Sequence, residues 1–199
     1  MELAPDDEEV LLAAADIAIR NSDYELARNY LEKGVATYPE NELFYMAMVN
    51  LEAAQDDLNA AMVEVKRGLK AVPESRQLIW RRAFLEIQQN DVAAVRRSAE
   101  RLREVGILKE WTDYLEVRAQ LLEEKWAVAS RRLEKLRPTL VAMRPSAAME
   151  ITMQLAICYE RLAQYDEARR AYRQALQEQP EMLQAMLGEA RSMLKLGQL

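Results

Sequence analysis

Residues 21–27 read Asn-Ser-Asp-Tyr-Glu-Leu-Ala, and residues 55–61 read Gln-Asp-Asp-Leu-Asn-Ala-Ala. Each is a short polar turn that opens into an apolar-periodic run, and the runs end at Pro39 and Pro73, 34 residues apart. Gly34 and Gly68 keep the same interval, as do Ala27 and Ala61. Counting back from Pro180 by the same offsets gives Ala175, Tyr172 and Ala168, which match Gly34, Leu31 and Ala27 as small, large, small. The frame persists where the proline does not: Asp91 lies 34 residues after Asp57, and Trp126 lies 34 after Val92, itself 34 after Leu58. A fixed period of this size marks a stacked array in which each unit buries its face on the next.

Working outward, the frame predicts repeats over 8–41, 42–75, 76–109, 110–148 and 149–182, and a first helix alone over 183–199, together one domain over 1–199. No stretch shows sustained strict alternation, so helix is expected throughout. Each repeat reads as a first helix, a polar turn, and a second helix starting at Tyr24, Leu58, Val92, Trp126 or Tyr165. Ala27, Gly34, Ala61, Gly68, Ala168 and Ala175 let neighbouring helices approach closely, and a proline ends a unit because it cannot continue a helix. At the start, Pro5 and then Asp6 with Glu9 form the pattern of a capping box.

The spacing from the fourth to the fifth repeat is 39 rather than 34 residues, with Pro138 and Pro145 marking the insertion. Arg137 precedes a proline and so resists helical geometry. A kink or a short extra helical turn is expected there, with a lengthened inter-helix loop as the plain reading of the insertion and a dedicated binding loop as the functional one. At the other end, Leu194 to Leu199 reads as the turn after a first helix, as in Asn21-Ser22-Asp23. The sequence therefore reads as a fragment of a longer protein. The arc of Leu183, Met186, Leu187, Ala190, Met193 and Leu194 is expected in part to cover the fifth repeat. Leu196 and Leu199 fall off that arc, and self-association through the C-terminal helix is expected.

Composition narrows the function. The 199 residues are 50% hydrophobic and 30% charged, with 5 Gly, 6 Pro, 1 Cys and no His. That removes the commonest general base and metal ligand, any intramolecular disulfide and any Cys-based zinc site. Cys158 stands at an apolar place in its repeat and reads as a buried, inert thiol. The glycines are isolated, so no phosphate loop is present. No enzyme activity, cofactor, metal or small-molecule substrate is expected. Residues 1–64 carry 15 acids and 3 bases, a charge of −12, and residues 65–199 carry 18 acids and 24 bases, a charge of +6. The net charge of −6 argues against bulk binding of nucleic acid or an anionic membrane. The arginine pairs Arg81-Arg82, Arg96-Arg97, Arg131-Arg132 and Arg169-Arg170 are interleaved with acids, as on ordinary solvated faces. No apolar run is long enough for a membrane span or a signal core, and the cytoplasm is the favoured compartment.

The period, the spacing of Leu155-Ala156 and Tyr159, and then Ala168, Tyr172, Ala175 and Pro180 resemble a tetratricopeptide repeat. The resemblance covers about residues 8–199. It is strongest in the first, second and fifth repeats. The third and fourth lack the proline, and Val95 and Ala99 stand where a small and a large residue are usual. The resemblance implies an all-α fold, a right-handed superhelical array of antiparallel helix pairs (a tetratricopeptide-like α-solenoid). It also implies a concave groove lined by the first helices. The fifth residue of each frame is Leu12, Met46, Trp80, Tyr114, Met153 and Leu187, all large and apolar. The ninth residues, one helical turn on, include Asn50, Phe84, Arg118 and Ile157. Together with Trp111 these give a candidate groove of Leu12, Met46, Asn50, Trp80, Phe84, Trp111, Tyr114, Arg118, Met153 and Ile157. Aromatic residues and Arg are what binding hot spots favour. If the groove is open, Trp80 and Trp111 are expected to be more exposed than Trp126.

The family's carboxylate clamp is not matched: Leu12 and Asp16 stand at the leading Lys and Asn positions, and Asn50 and Arg81 are at most remnants. The expected function is a non-enzymatic scaffold holding a protein or peptide partner by apolar and aromatic contact, oriented by Arg118 and Asn50. A structural or self-associating spacer within a longer protein and an RNA-binding array stand as alternatives.

Overall fold

The computed structural model describes residues 7–198, and among them it has eleven α-helices, one 3-10 turn and no strand. The helices are α1 (Glu8–Arg20), α2 (Tyr24–Thr37), α3 (Glu42–Ala54), α4 (Leu58–Ala71), α5 (Arg76–Gln88) and α6 (Val92–Glu104). They continue as α7 (Lys109–Leu122), α8 (Trp126–Met143), α9 (Ala148–Arg161), α10 (Tyr165–Glu178) and α11 (Leu183–Lys195). The second helices start at the five residues the frame marks. Two compact units divide the chain, Met1–Ile107 with α1–α6 and Leu108–Leu199 with α7–α11.

One backbone device ends every first helix that a second helix follows. Ser22, Asp56, Asn90, Glu124 and Ala163 hold left-handed backbone with φ between 58° and 61°. Each donates its N–H three residues back, and the next residue donates five back, as in Ser22 to Ile19 and Asp23 to Ala18. These bonds satisfy carbonyls that a helix end leaves free. In α2, α4 and α6 the residue after the left-handed one then caps the helix with its side chain, whereas Lys125 and Gln164 before α8 and α10 make no such bond. Asp23 accepts from the Leu26 N–H at 3.2 Å and Asp91 from the Ala94 N–H at 2.9 Å. Asp57 accepts from both Asn59 and Ala60. At the chain start the cap is Asp7, which accepts from the Glu9 N–H at 3.0 Å. Asp6, expected in that role, lies outside the described residues.

In Met1–Ile107, α2 packs on α1 and α3, α4 packs on α3 and α5, and α6 packs on α5, while α1, α3 and α5 lie side by side. Close approach depends on missing side-chain atoms. A Cβ added at Gly34 would stand 2.0 Å from Cε1 of the fully buried Phe44 ring. One added at Gly68 would stand 2.8 Å from Leu78 Cδ1 and from Tyr45 Cβ. Phe44 also stacks on Tyr38, with ring centroids 5.9 Å apart. Leu11, Leu31, Met48, Leu51 and Leu78 complete this core. Glu52, Glu64 and Glu86 are buried among these helices. Arg28 pairs with Glu52, and Arg67 makes two 2.7 Å hydrogen bonds to Glu32. That bond holds the Glu32 carboxyl below the usual range, whereas burial pushes Glu64 and Glu86 up.

In Leu108–Leu199, α8 packs on α7 and α9, and α10 packs on α9 and α11. The inserted residues are helical rather than a loop: α8 runs 18 residues with Pro138 inside it, followed by the 3-10 turn Pro145–Ala147. Leu133 and Leu140, both with no exposed surface, anchor the helix on either side of the proline. α9 and α11 lie side by side, whereas among the described residues α7 and α9 stand farther apart and meet through the side chains of Tyr114, Arg118 and Glu150.

α11 packs the opposite way from the expected arc. Ala185, Gly188 and Ser192 are buried, while Leu183, Met186, Leu187 and Leu194 are 49–65% exposed. The Tyr172 ring sets this orientation, because a Cβ at Gly188 would stand 2.3 Å from its Cζ and nothing larger fits beneath. Leu196 is half-buried and Leu199 lies outside the described residues.

Candidate partner-binding groove

The first-helix face of Met1–Ile107 is built by α1, α3 and α5. Leu12, Met46, Trp80 and Phe84 are half-buried on it and Asn50 is exposed. Leu12 and Met46 lean on the core around Phe44. One turn apart on α5, Trp80 and Phe84 meet with ring centroids 5.5 Å apart and planes tilted by 49°. Such aromatic pairs combine a large apolar area with little rotamer entropy. Beside them Arg81 crosses to α3, where its Nη2 donates to Asn50 Oδ1 at 3.3 Å. Its Nε–H is buried and has no hydrogen-bond partner. A buried unpaired donor is costly.

In Leu108–Leu199 the arrangement differs from expectation. Tyr114 is 2% exposed, and its hydroxyl donates to Glu150 Oε1 at 2.7 Å. Burial pushes its phenol well above the ordinary range. Arg118 pairs with the same Glu150 carboxylate, and its guanidinium lies 5.9 Å from the Tyr114 ring centre. With only 14% of its side chain exposed, Arg118 is a strut between α7 and α9 rather than a steering charge. Met153 is 7% exposed and packs with Ala156, Ala168 and Tyr172. Tyr114, Arg118 and Met153 are therefore interior groups. Trp111 is half-buried, edge-on to Tyr114 at 6.3 Å, and Ile157 is half-buried. Sequence reasoning missed Glu150, the acid that ties Tyr114 and Arg118 together. Its one signal was its place just after the insertion.

Trp126, expected to be better buried than Trp80 and Trp111, falls in the same half-buried range. It stands at the first position of α8, with the Arg161 guanidinium 5.4 Å from its ring centre. Cys158 is a buried free thiol, and burial pushes its pKa up to about 12. Among the described residues no group of His, Cys, Asp and Glu is arranged to hold a metal ion. Among those residues, too, no helix is long and apolar enough to cross a membrane.

Residues 8–41 and 150–182 each match the profile described as Tetratricopeptide repeat. The chain carries tetratricopeptide repeats. Solved structures extend the likeness in fold to nearly the whole length. A chain in the crystal structure of the APC/C hetero-tetramer Cut9-Hcn1 superposes over 96% of this chain with a TM-score of 0.78, at 12% identity. This tetratricopeptide array spans 37% of that chain. A thermophilic protein of the same repeat type from Thermus thermophilus matches over 94% of this chain and 100% of its own, with a TM-score of 0.68 and 16% identity. YrrB, described as a tetratricopeptide protein with an unusual peptide-binding site, covers 84% of each chain with a TM-score of 0.53 and 14% identity. No curated protein matches the sequence. The repeats thus adopt the tetratricopeptide solenoid fold.

Proposed function

We propose that this chain is a non-enzymatic protein-interaction scaffold that receives a peptide or helix of a partner on the first-helix face of Met1–Ile107. The observation that carries the reading is the half-buried Trp80–Phe84 pair beside the Arg81–Asn50 hydrogen bond. The aromatic pair supplies apolar area, and the Arg81–Asn50 pair supplies the polar contact that fixes the partner's direction. An amphipathic helix or extended peptide fits this chemistry. The peptide-binding site named for YrrB supports the same general use of the fold. Trp111 and Ile157 serve as secondary apolar contacts on the first-helix face of Leu108–Leu199.

Peptides selected from a random display library against the chain test the reading. Trp80→Ala is expected to weaken a selected peptide at least tenfold while leaving the far-ultraviolet helical spectrum unchanged, with Trp126→Phe as the control. Affinity indifferent to Trp80 would overturn it. Binding of single-stranded RNA that falls steeply with salt, with no peptide binding, would favour a phosphate-reading array instead.

A second reading, self-association through α11, is favoured by its outward apolar face of Leu183, Met186, Leu187 and Leu194. Sedimentation velocity over a concentration series tests it.

A further inference from the structure

The repeat frame sets two successive grooves on the second-helix side of Met1–Ile107, and their chemistry differs. Between α2 and α4, Arg67 reaches across to Glu32 with two 2.7 Å hydrogen bonds. One repeat later, between α4 and α6, the same places hold Arg101 and Lys66. Two cations cannot close a groove as an ion pair does. Arg101 turns elsewhere: its Nη1 donates to Glu104 Oε2 at 2.8 Å, and its Nη2 to the Pro73 carbonyl at 3.3 Å. A cleft of about 460 Å³ is left among α4, α5 and α6. That volume lies in the range of ligand sites.

Arginine donors line the cleft. Arg82 is held from behind, where its Nε donates to Ser98 Oγ at 3.0 Å and lies 3.4 Å from Glu86. Ser98 is fully buried and donates onward to Glu86 at 2.6 Å. Among the described residues neither η nitrogen of Arg82 has a hydrogen-bond partner. Arg97, exposed on α6, has no hydrogen bond or ion pair among them either. A planar fork already held in place loses little further freedom when it binds.

The ligand's class follows from charge and lining. Three guanidiniums, Arg82, Arg97 and Arg101, stand with two carboxylates, Glu100 and Glu104, so the lining carries +3 and −2, a surplus of +1. Leu69, Pro73 and Ile79 add an apolar wall. One surplus positive charge matches a monoanion, and the guanidinium fork matches the two oxygens of a carboxylate. A bare phosphate would bring excess charge and leave the apolar wall uncovered. We infer that this cleft binds a carboxylate carried on an apolar body. It lies apart from the aromatic pair, since Arg82 stands about 200° round α5 from Trp80, two residues at about 100° each. Neither site depends on the other.

The last residue of a peptide and a free branched acid share this chemistry. Titration of the full chain with N-acetyl-leucine, 4-methylpentanoate, N-acetyl-leucinamide and inorganic phosphate, followed by amide NMR shifts, tests the site. At least one of the two acids is expected to shift signals of α6 and residues 69–82 saturably, and the uncharged amide to bind at least tenfold more weakly. Arg97→Gln is expected to weaken the bound acid at least fivefold with an unchanged helical spectrum. Arg20→Gln, the same charge change on α1, is expected to leave the affinity alone. Lys66→Glu restores the acid of the preceding groove as a partner for Arg101 and is expected to weaken binding at least fivefold. Tighter binding of N-acetyl-leucine than of 4-methylpentanoate would assign the cleft to a peptide's end, and the reverse to a free acid; both uphold the site. Equal binding of the amide, shifts that never saturate, or affinity indifferent to Arg97 would overturn it. Phosphate binding as tight as either acid would overturn the carboxylate class.

Discussion

Left-handed backbone is costly for residues with a Cβ, yet Ser22, Asp56, Asn90, Glu124 and Ala163 all adopt it. Asn, Asp and Ser offset part of the cost through local hydrogen bonds, but alanine has no such means. Ala163→Gly is therefore expected to stabilise the chain by about 0.5–1 kcal/mol in a urea melt, because removing the steric strain outweighs the extra freedom of the unfolded glycine. The reverse exchange shows the opposite sign. Gly34→Ala gains helix propensity of ~1 kcal/mol, but its Cβ would meet the buried Phe44 ring at 2.0 Å. A fully buried ring in a packed core has no space to move into, so a net loss of about 1–3 kcal/mol is expected in the same melt. Titration supplies a third residue-scale test. Burial raises the folded pKa of Glu86 above its ordinary 4.5, although Ser98 donates to it at 2.6 Å. Its contribution is complete below 4.5 and is lost as pH rises through the folded value. Glu86→Gln keeps an acceptor for Ser98 and removes that slope, so denaturation free energies of the variant are expected to fall less between about pH 4 and about pH 8.

At the scale of helices, α8 carries the one feature that local rules argued against. Pro138 removes a hydrogen bond to the Glu134 carbonyl and crowds it, a cost of about 3 kcal/mol in a helix interior. Leu133 and Leu140, both fully buried, still hold α8 continuous. Pro138→Ala restores the bond at an exposed position, so thermal unfolding is expected to shift upward, with a gain of about 1–3 kcal/mol. The helix pairs, their turns and the second-helix starts were legible because the 34-residue frame and helical periodicity are local signals. Which stripe of a helix faces inward was not. α11 has one stripe of small residues and one of large ones, and hydrophobicity alone favoured burying the large. The shape of Tyr172 decided otherwise, and that is a fact about a neighbouring helix. The groove positions divide for the same reason. Trp80 and Phe84 are half-buried beside each other on α5, while Tyr114 and Arg118 turn to Glu150 of α9.

Across the whole molecule, packing is sequential. Among the described residues each helix meets only helices one or two places away in order. Damage should therefore stay local. Gly188→Ala is expected to speed amide hydrogen exchange in α10 and α11 while α7 keeps its wild-type protection; equal acceleration across residues 108–198 would contradict this. The same ordering bears on how the protein is made. A chain whose contacts are all near neighbours closes only short loops, each at a small entropic cost. On a ribosome, α1 and α2 have their covering helix as soon as α3 emerges, and α3 and α4 have theirs with α5. Each finished pair can then leave the solvent while later repeats are still being translated, so little apolar surface waits exposed at any moment of synthesis.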